Sequence, residues 1–237
     1  MKAEATARTD EVDSAAELSE GARAALRDLL LTLADNKRLL GIRYSDWMLG
    51  APTLETGIAA SSMAQDEWGH ARLTYALLSD FGDDPKQLEH DRGAEEYRNL
   101  EILDAPFSSW AEMLAAALLI DTALTMQYGA LVESRYVPVH NRVQKLLDEE
   151  SYHFQYAAGW AHRLAGTEAK EELQQSLARL LPVALRWLAG ADEDATNRLR
   201  DEGLVREGAD EMRARFLHSV APVLTEAGLA EEVGLHP

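Results

Sequence analysis

Cysteine is absent from this chain, which rules out a disulfide framework, iron–sulfur ligation, zinc-thiolate sites and a thiol nucleophile together. Any metal must then be held by histidine and carboxylate. Positive charge is scarce: 23 Lys and Arg stand against 41 Asp and Glu, and the net charge of −18 argues against nucleic acid or an anionic membrane surface as a partner. Apolar residues alternate with period two over no useful length, so a β protein is not expected. No glycine loop of the nucleotide-binding kind occurs, and electrons for any redox chemistry would have to come from another protein. The first eighteen residues, MKAEATARTDEVDSAAEL, contain no apolar segment that an exporter would engage, so a cytoplasmic protein is expected.

What is present is helical periodicity almost throughout. The 237 residues, 46% hydrophobic, suffice for one domain with a sizeable core, and 1–237 is read as a single all-α unit. Residues 1–16 are expected to form a disordered tail, 17–166 a bundle, and 167–237 additional helices packed outside it. The first helix is expected from Ala15 to Leu49, ending at Gly50-Ala51-Pro52, where Pro52 opens a second helix that runs to about Asp80. A charged, turn-rich stretch over 81–106 is long enough for a crossover connection. The third helix starts at a Ser109–Glu112 capping box and runs to Tyr136; Pro138 opens the fourth, which closes at Gly166. Two outer helices are expected over 171–188, broken near Pro182, and over 209–227.

The chemistry is carried by a repeated motif. The second helix contains Glu67-Trp68-Gly69-His70 and the fourth contains Glu150-Ser151-Tyr152-His153. Residues three apart on a helix point the same way, so each pair presents a carboxylate and an imidazole together. The same stripes carry Met63, Thr74 and Leu77 in one helix and Val143, Leu146, Ala157, Trp160 and Leu164 in the other, so both pairs face inward. A carboxylate aimed into a bundle is costly unless a cation meets it. Two Glu-x-x-His pairs are half of a ferritin-like dinuclear carboxylate site, whose other two helices each add a carboxylate. Reflecting Glu67 and His70 through a turn near 51 lands at about residue 33 or 34, next to Asp35, given equal rise per residue. The same reflection of Glu150 and His153 lands at about 121 or 122, on Asp121.

Asp35, Glu67, His70, Asp121, Glu150 and His153 are therefore the expected metal ligands. Asp46 is the rival on the first helix but lies nearer the turn. Asp66 and Glu149, each preceding a ligand glutamate, are expected around the site rather than on the metal, and the remaining histidines on the surface. Tyr44 and Tyr128 are read as core. The stretch around Asp121 is apolar enough to suggest a membrane span, but its Ala-rich composition and inward charge suit a buried bundle helix better. Oxygen and nitrogen ligands without sulfur suit Fe, Mn or Zn, and a carboxylate-rich set with two imidazoles suits iron that meets dioxygen.

At these residues the sequence resembles the paired large subunits of the multicomponent phenylacetyl-CoA ring epoxidase, the phenylacetate catabolic monooxygenase. LADNKRLLGIRYSDWMLGAPTLETGIAASSMAQDEWGHAR is similar to that family's first hairpin, LLIDTALTMQYGALVES to its third helix, and EESYHFQYAAGWAHRLAG to its fourth. The tail ALRWLAGADEDATNRLRDEGL, with MRARFLHSVAPVLTEAGL, is similar to the end of the shorter structural subunit. The family holds two related chains: one binds two irons and the CoA thioester, and the other keeps the bundle, loses ligands and serves as a scaffold. Length and tail resemble the scaffold, whereas Glu67 and His70 resemble the catalyst. Asp35 departs from the catalyst, standing where diiron enzymes of this class commonly use Glu. The resemblance implies a diiron monooxygenase component, with two Fe or a Mn/Fe pair, that activates O2 to oxidise an aromatic acyl-CoA. It also implies a homodimer or a related ferritin-like partner subunit, and a separate reductase. A structural subunit retaining a metal site and a ferroxidase-like metal-binding protein are the alternatives.

Overall fold

A computed structural model of the chain describes residues 10–189 and 193–235. Its helices are α1 (Glu20–Ser45), α2 (Leu54–Leu77), the short α3 (Pro85–His90), α4 (Trp110–Ala116), α5 (Thr122–Ala130), α6 (Val137–Ala165), α7 (Lys170–Ala189), α8 (Glu193–Asp201) and α9 (Ala209–Glu226). The described residues form no strand; one isolated bridge joins Val12 to Tyr136. The all-helical architecture is consistent with a ferritin-like bundle, made here by α1, α2, α4 with α5, and α6, against which α7, α8 and α9 pack.

The first two helices are a tightly packed antiparallel hairpin. Ser19 caps α1 by accepting the Ala22 N–H, and Thr53 caps α2 by accepting that of Thr56. Both helices are thus shorter than the sequence suggested: α1 stops at Ser45, and Thr53 rather than Pro52 opens α2. Two glycines permit the close approach. A Cβ on Gly41 would stand 2.6 Å from the Trp68 ring, and one on Gly57 would stand 2.4 Å from the Met48 carbonyl oxygen.

The third bundle helix is interrupted. Residues Trp110–Ala116 are α-helical, Ala117–Asp121 form a π turn, and the α-helix resumes at Thr122. It ends at Ala130, short of the expected Tyr136; the chain then turns, and Tyr136 donates its hydroxyl to Asp80 at 2.8 Å. The 21 residues Trp110–Ala130 are apolar and long enough to cross a membrane, but 89% of the most apolar window is buried inside the protein, as a core helix should be. Ser109 caps α4 by accepting the Glu112 N–H. The Glu112 carboxylate, however, accepts from the Ser108 N–H and hydroxyl and from Arg179, not from Ser109.

Three other expectations are corrected. Residues 10–16 are folded, not a disordered tail: Val12 and Ala15 are buried, the Ala15 N–H donates to Asp80 at 2.5 Å, and the Val12 N–H donates to the Arg135 carbonyl at 2.9 Å. Residues 1–9 lie outside the described residues. The helix over 171–188 is not broken at Pro182, because the proline is exposed and the buried row Leu173, Leu177, Leu180, Leu181, Ala184 and Leu188 holds both halves of α7 in register. The connection after α7 contains a further helix, α8, that the sequence pattern did not reveal.

Candidate metal centre

Three bundle elements bring five of the expected side chains to one level of the core. From α2 come Glu67 and His70, from the π turn Asp121, and from α6 Glu150 and His153; each is at most 3% exposed. Glu67, Asp121, Glu150 and His153 can offer ligand atoms that all lie within 4.8 Å of one another, so this buried set could hold a metal ion. The reason is periodic: Glu67 and His70 are three apart, as are Glu150 and His153, and the π turn adds a residue to its helix just where Asp121 must face inward.

The imidazoles are oriented by carboxylates exchanged between the two helices. His70 Nε2 lies 2.9 Å from Glu149 Oε2 of α6, and His153 Nε2 lies 3.3 Å from Asp66 Oδ2 of α2. Both rings therefore turn Nδ1 inward: that of His70 is 2.8 Å from Glu150 Oε1, and that of His153 is 3.3 Å from both Glu67 Oε1 and Asp121 Oδ2. Such outer carboxylates fix ring orientation and tautomer in metal sites. Tyr44, fully buried, donates to Asp121 Oδ2 at 3.0 Å, and Thr125 Oγ1 lies 2.9 Å from Glu150 Oε2.

Asp35 is not part of this cluster. Its oxygens accept from Tyr75 Oη at 2.5 Å, Arg92 Nη1 at 3.1 Å and the Arg98 N–H at 2.8 Å, with Arg92 Nη2 as a further partner, so it pins the crossover segment to α1. Asp46, the rival, pairs with Arg43 at 3.2 Å at the end of the helix. The charged residue that α1 sends into the site is Lys37, 0% exposed. Its ammonium donates to Asp121 Oδ1 and Glu150 Oε1, both at 2.5 Å, and to Glu67 Oε1 at 3.0 Å. Two residues along a helix turn by about 200°, so Asp35 and Lys37 cannot share a face. The signal was in the sequence: Leu26, Leu30, Leu33, Lys37, Leu40 and Tyr44 follow one another at steps of three and four along one stripe.

The electrostatics centre on that lysine. Burial alone would lower the Lys37 ammonium, but the charges of Asp121, Glu150 and Glu67 outweigh it and hold it well above its ordinary value. Burial would likewise lower His153, yet hydrogen bonds to Asp121 and Glu67 push it up to about 11. Burial, with the like charges of Asp121 and Glu150, pushes Glu67 up to about 7 against the pull of Lys37. Burial also opposes ionisation of Asp121, but Lys37 and the His153 hydrogen bond hold it well below the carboxylate range. The Lys37 ammonium and the His153 imidazole thus both face the three carboxylates.

A pair of metal ions would compete with Lys37 for this arrangement. Metal–oxygen bonds to such ligands are about 2.0–2.2 Å, and three of the oxygens that would form them already converge on one ammonium. A divalent ion placed among the same oxygens would meet that positive charge in a low-dielectric interior. A cavity of about 250 Å³ between α5, α6 and α9 reaches the cluster past Leu147 and Phe154 to Asp121, Glu150 and His153. A larger cavity of about 1160 Å³ lies between α1, α7 and α8, and no cluster residue lines it.

Of the other histidines, His90, His140, His162 and His218 are exposed, and His236 lies outside the described residues. Tyr128 is buried against Thr74, its hydroxyl 2.8 Å from Oγ1.

Comparison with known proteins finds relatives of this chain. Over 154 residues the chain is 30% identical to one subunit of the 1,2-phenylacetyl-CoA epoxidase of Escherichia coli K12, covering 63% of this chain and 62% of that one. Over 188 residues it is 27% identical to a second subunit of the same enzyme, covering 78% and 61%. The chain thus spans less than two thirds of the length of each relative. The family model described as phenylacetic acid catabolic protein matches residues 1–233, and the chain belongs to that family.

Proposed function

We propose that this chain is the companion subunit of a multicomponent epoxidase-type complex acting on an aromatic acyl-CoA, and not the subunit that activates oxygen. The single observation that carries this reading is Lys37, whose ammonium takes three carboxylate oxygens that a dinuclear centre would need. The role follows the scaffold that the family resemblance implies for one of its two chains. A related ferritin-like subunit then supplies the metal centre, a separate reductase supplies electrons, and the complex works in the cytoplasm. The ion-pair cluster in this chain holds four helices at one register without a metal.

The alternative is an oxygenase component with two Fe or a Mn/Fe pair. One observation favours it: Glu67, His70, Asp121, Glu150 and His153 still converge, with both imidazoles oriented. Iron content and oxygen uptake separate the two. The purified chain, loaded anaerobically with ferrous iron and chemically reduced, is expected to carry no more iron than a Glu67→Ala, Glu150→Ala variant and to consume no oxygen above it. About two irons per chain with oxygen uptake lost in the variant would establish the alternative.

A further inference from the structure

We infer that the cluster is a dinuclear metal site held closed by one residue: Lys37 stands where α1 would contribute the fourth carboxylate, and the rest of the donor set is intact. This rests on the companion-subunit reading, since a chain that loads two ions in its natural form has no lock.

The arrangement around Lys37 is not that of a decayed site. Each of the other three bundle elements still sends in its donors, with Glu67 and His70 from α2, Asp121 from the π turn, and Glu150 and His153 from α6. The outer carboxylates Glu149 and Asp66 still orient the two rings. Glu67 Oε2 is buried without a hydrogen-bond partner. His70 Nδ1 faces Glu150 Oε1 at 2.8 Å. An unpaired buried acceptor such as Glu67 Oε2 is what a metal ion would satisfy.

Chain length and charge point the same way. A glutamate side chain ends one bond nearer the backbone than the lysine Nζ, so the substitution Lys37→Glu would vacate the space in which the three oxygens now converge. It would also complete a set of four carboxylates with Glu67, Asp121 and Glu150, and four negative charges balance two divalent ions. The cavity reaching Asp121, Glu150 and His153 from between α5, α6 and α9 gives an ion a way in. Lys37 is thus the determinant of metal exclusion in this chain, through an ammonium fixed at the centre of the donors.

The test compares the wild-type full-length chain with Lys37→Glu and Lys37→Gln, each exposed to cobalt(II) under anaerobic conditions and then dialysed. Bound metal is counted by mass spectrometry, cobalt coordination is read from visible ligand-field absorption, and thermal melts are recorded with and without metal. Wild type is expected to retain almost no cobalt, Lys37→Glu about two ions per chain and Lys37→Gln about one, the variants gaining thermal stability with metal. If Lys37→Glu folds only when cobalt is present, that metal-coupled folding also supports the lock. Lys37→Glu and Lys37→Gln that fold and bind no more cobalt than wild type would overturn it and leave the companion reading standing. Lys37→Glu unfolded with cobalt present, beside a folded and metal-free Lys37→Gln, would overturn it as well. Wild type that itself retains about two ions would overturn the companion reading and the lock together.

Discussion

Replacing Lys37 by methionine keeps most of the side-chain volume and removes only the charge. Three carboxylate oxygens that now share one ammonium at 2.5, 2.5 and 3.0 Å would then face one another in a buried site without their cation. Removing one partner of a buried ion pair typically costs about 3–5 kcal/mol. For a chain of this size each kcal/mol moves the melting temperature by about 2–4 °C, so a fall of roughly 6–20 °C is expected at pH 7. The measurement is thermal unfolding followed by circular dichroism, with a chelator present so that no ion replaces the ammonium. Two features belong to the mechanism and not to generic damage. Carboxylates deprived of their cation have folded-state pKa values raised above the unfolded ones, so the Lys37→Met deficit should shrink on going from pH 7 to pH 5. Adding Glu67→Gln to Lys37→Met removes one of the uncompensated charges and should restore about 1–3 kcal/mol by a double-mutant cycle. A Lys37→Met protein within about 1 kcal/mol of wild type, with no pH dependence of the difference, would refute the account of a cluster organised by Lys37.

In the wild-type chain, His153 moves from 6.5 to about 11 on folding, because its hydrogen bonds to Asp121 and Glu67 outweigh burial. The folded state therefore holds a proton that the unfolded chain releases first; this stability is complete below about pH 6.5 and is lost toward pH 11, at up to about 1.4 kcal/mol per pH unit. Glu67, raised from 4.5 to about 7 by burial and its neighbours, adds the same sign between those values, whereas Asp121, held down by Lys37, gives stability that is lost as acid protonates it. Unfolding free energies from denaturant titrations should thus peak at mildly acidic pH, and a rise between pH 6 and 9 would contradict the assignment. Asp35→Ala is expected to leave cobalt binding by the Lys37→Glu protein unchanged, because Asp35 faces the crossover segment. The same substitution strands Arg92 and Tyr75, so faster limited proteolysis within 91–100 and a loss of about 1–3 kcal/mol are expected. Loss of cobalt on Asp35→Ala would return Asp35 to the ligand set.

Much of this protein was legible from its residues one helix at a time. The two Glu-x-x-His pairs face inward because three residues are most of one helical turn, and that local geometry holds whatever surrounds it. Asp121 could be placed because it is a lone charge in an apolar helix, and such a charge must meet others in the core. The start of α6 by Pro138 and its end at Gly166 are likewise local events. What failed depended on how separate elements meet. Reflecting a hairpin through its turn predicts a level along the axis to within a few residues, but it does not predict which way a side chain points, and two residues on α1 separate the crossover side from the core. The π turn before Thr122 and the burial of Val12 against Tyr136 involve residues whose own sequence neighbourhood says nothing of them. The sequence by itself determined the bundle helices, their apolar faces and five of the converging side chains, since these follow from period and polarity along the chain. Only the tertiary structure decided that a lysine meets the carboxylates where a metal would stand, because that depends on the register between packed helices.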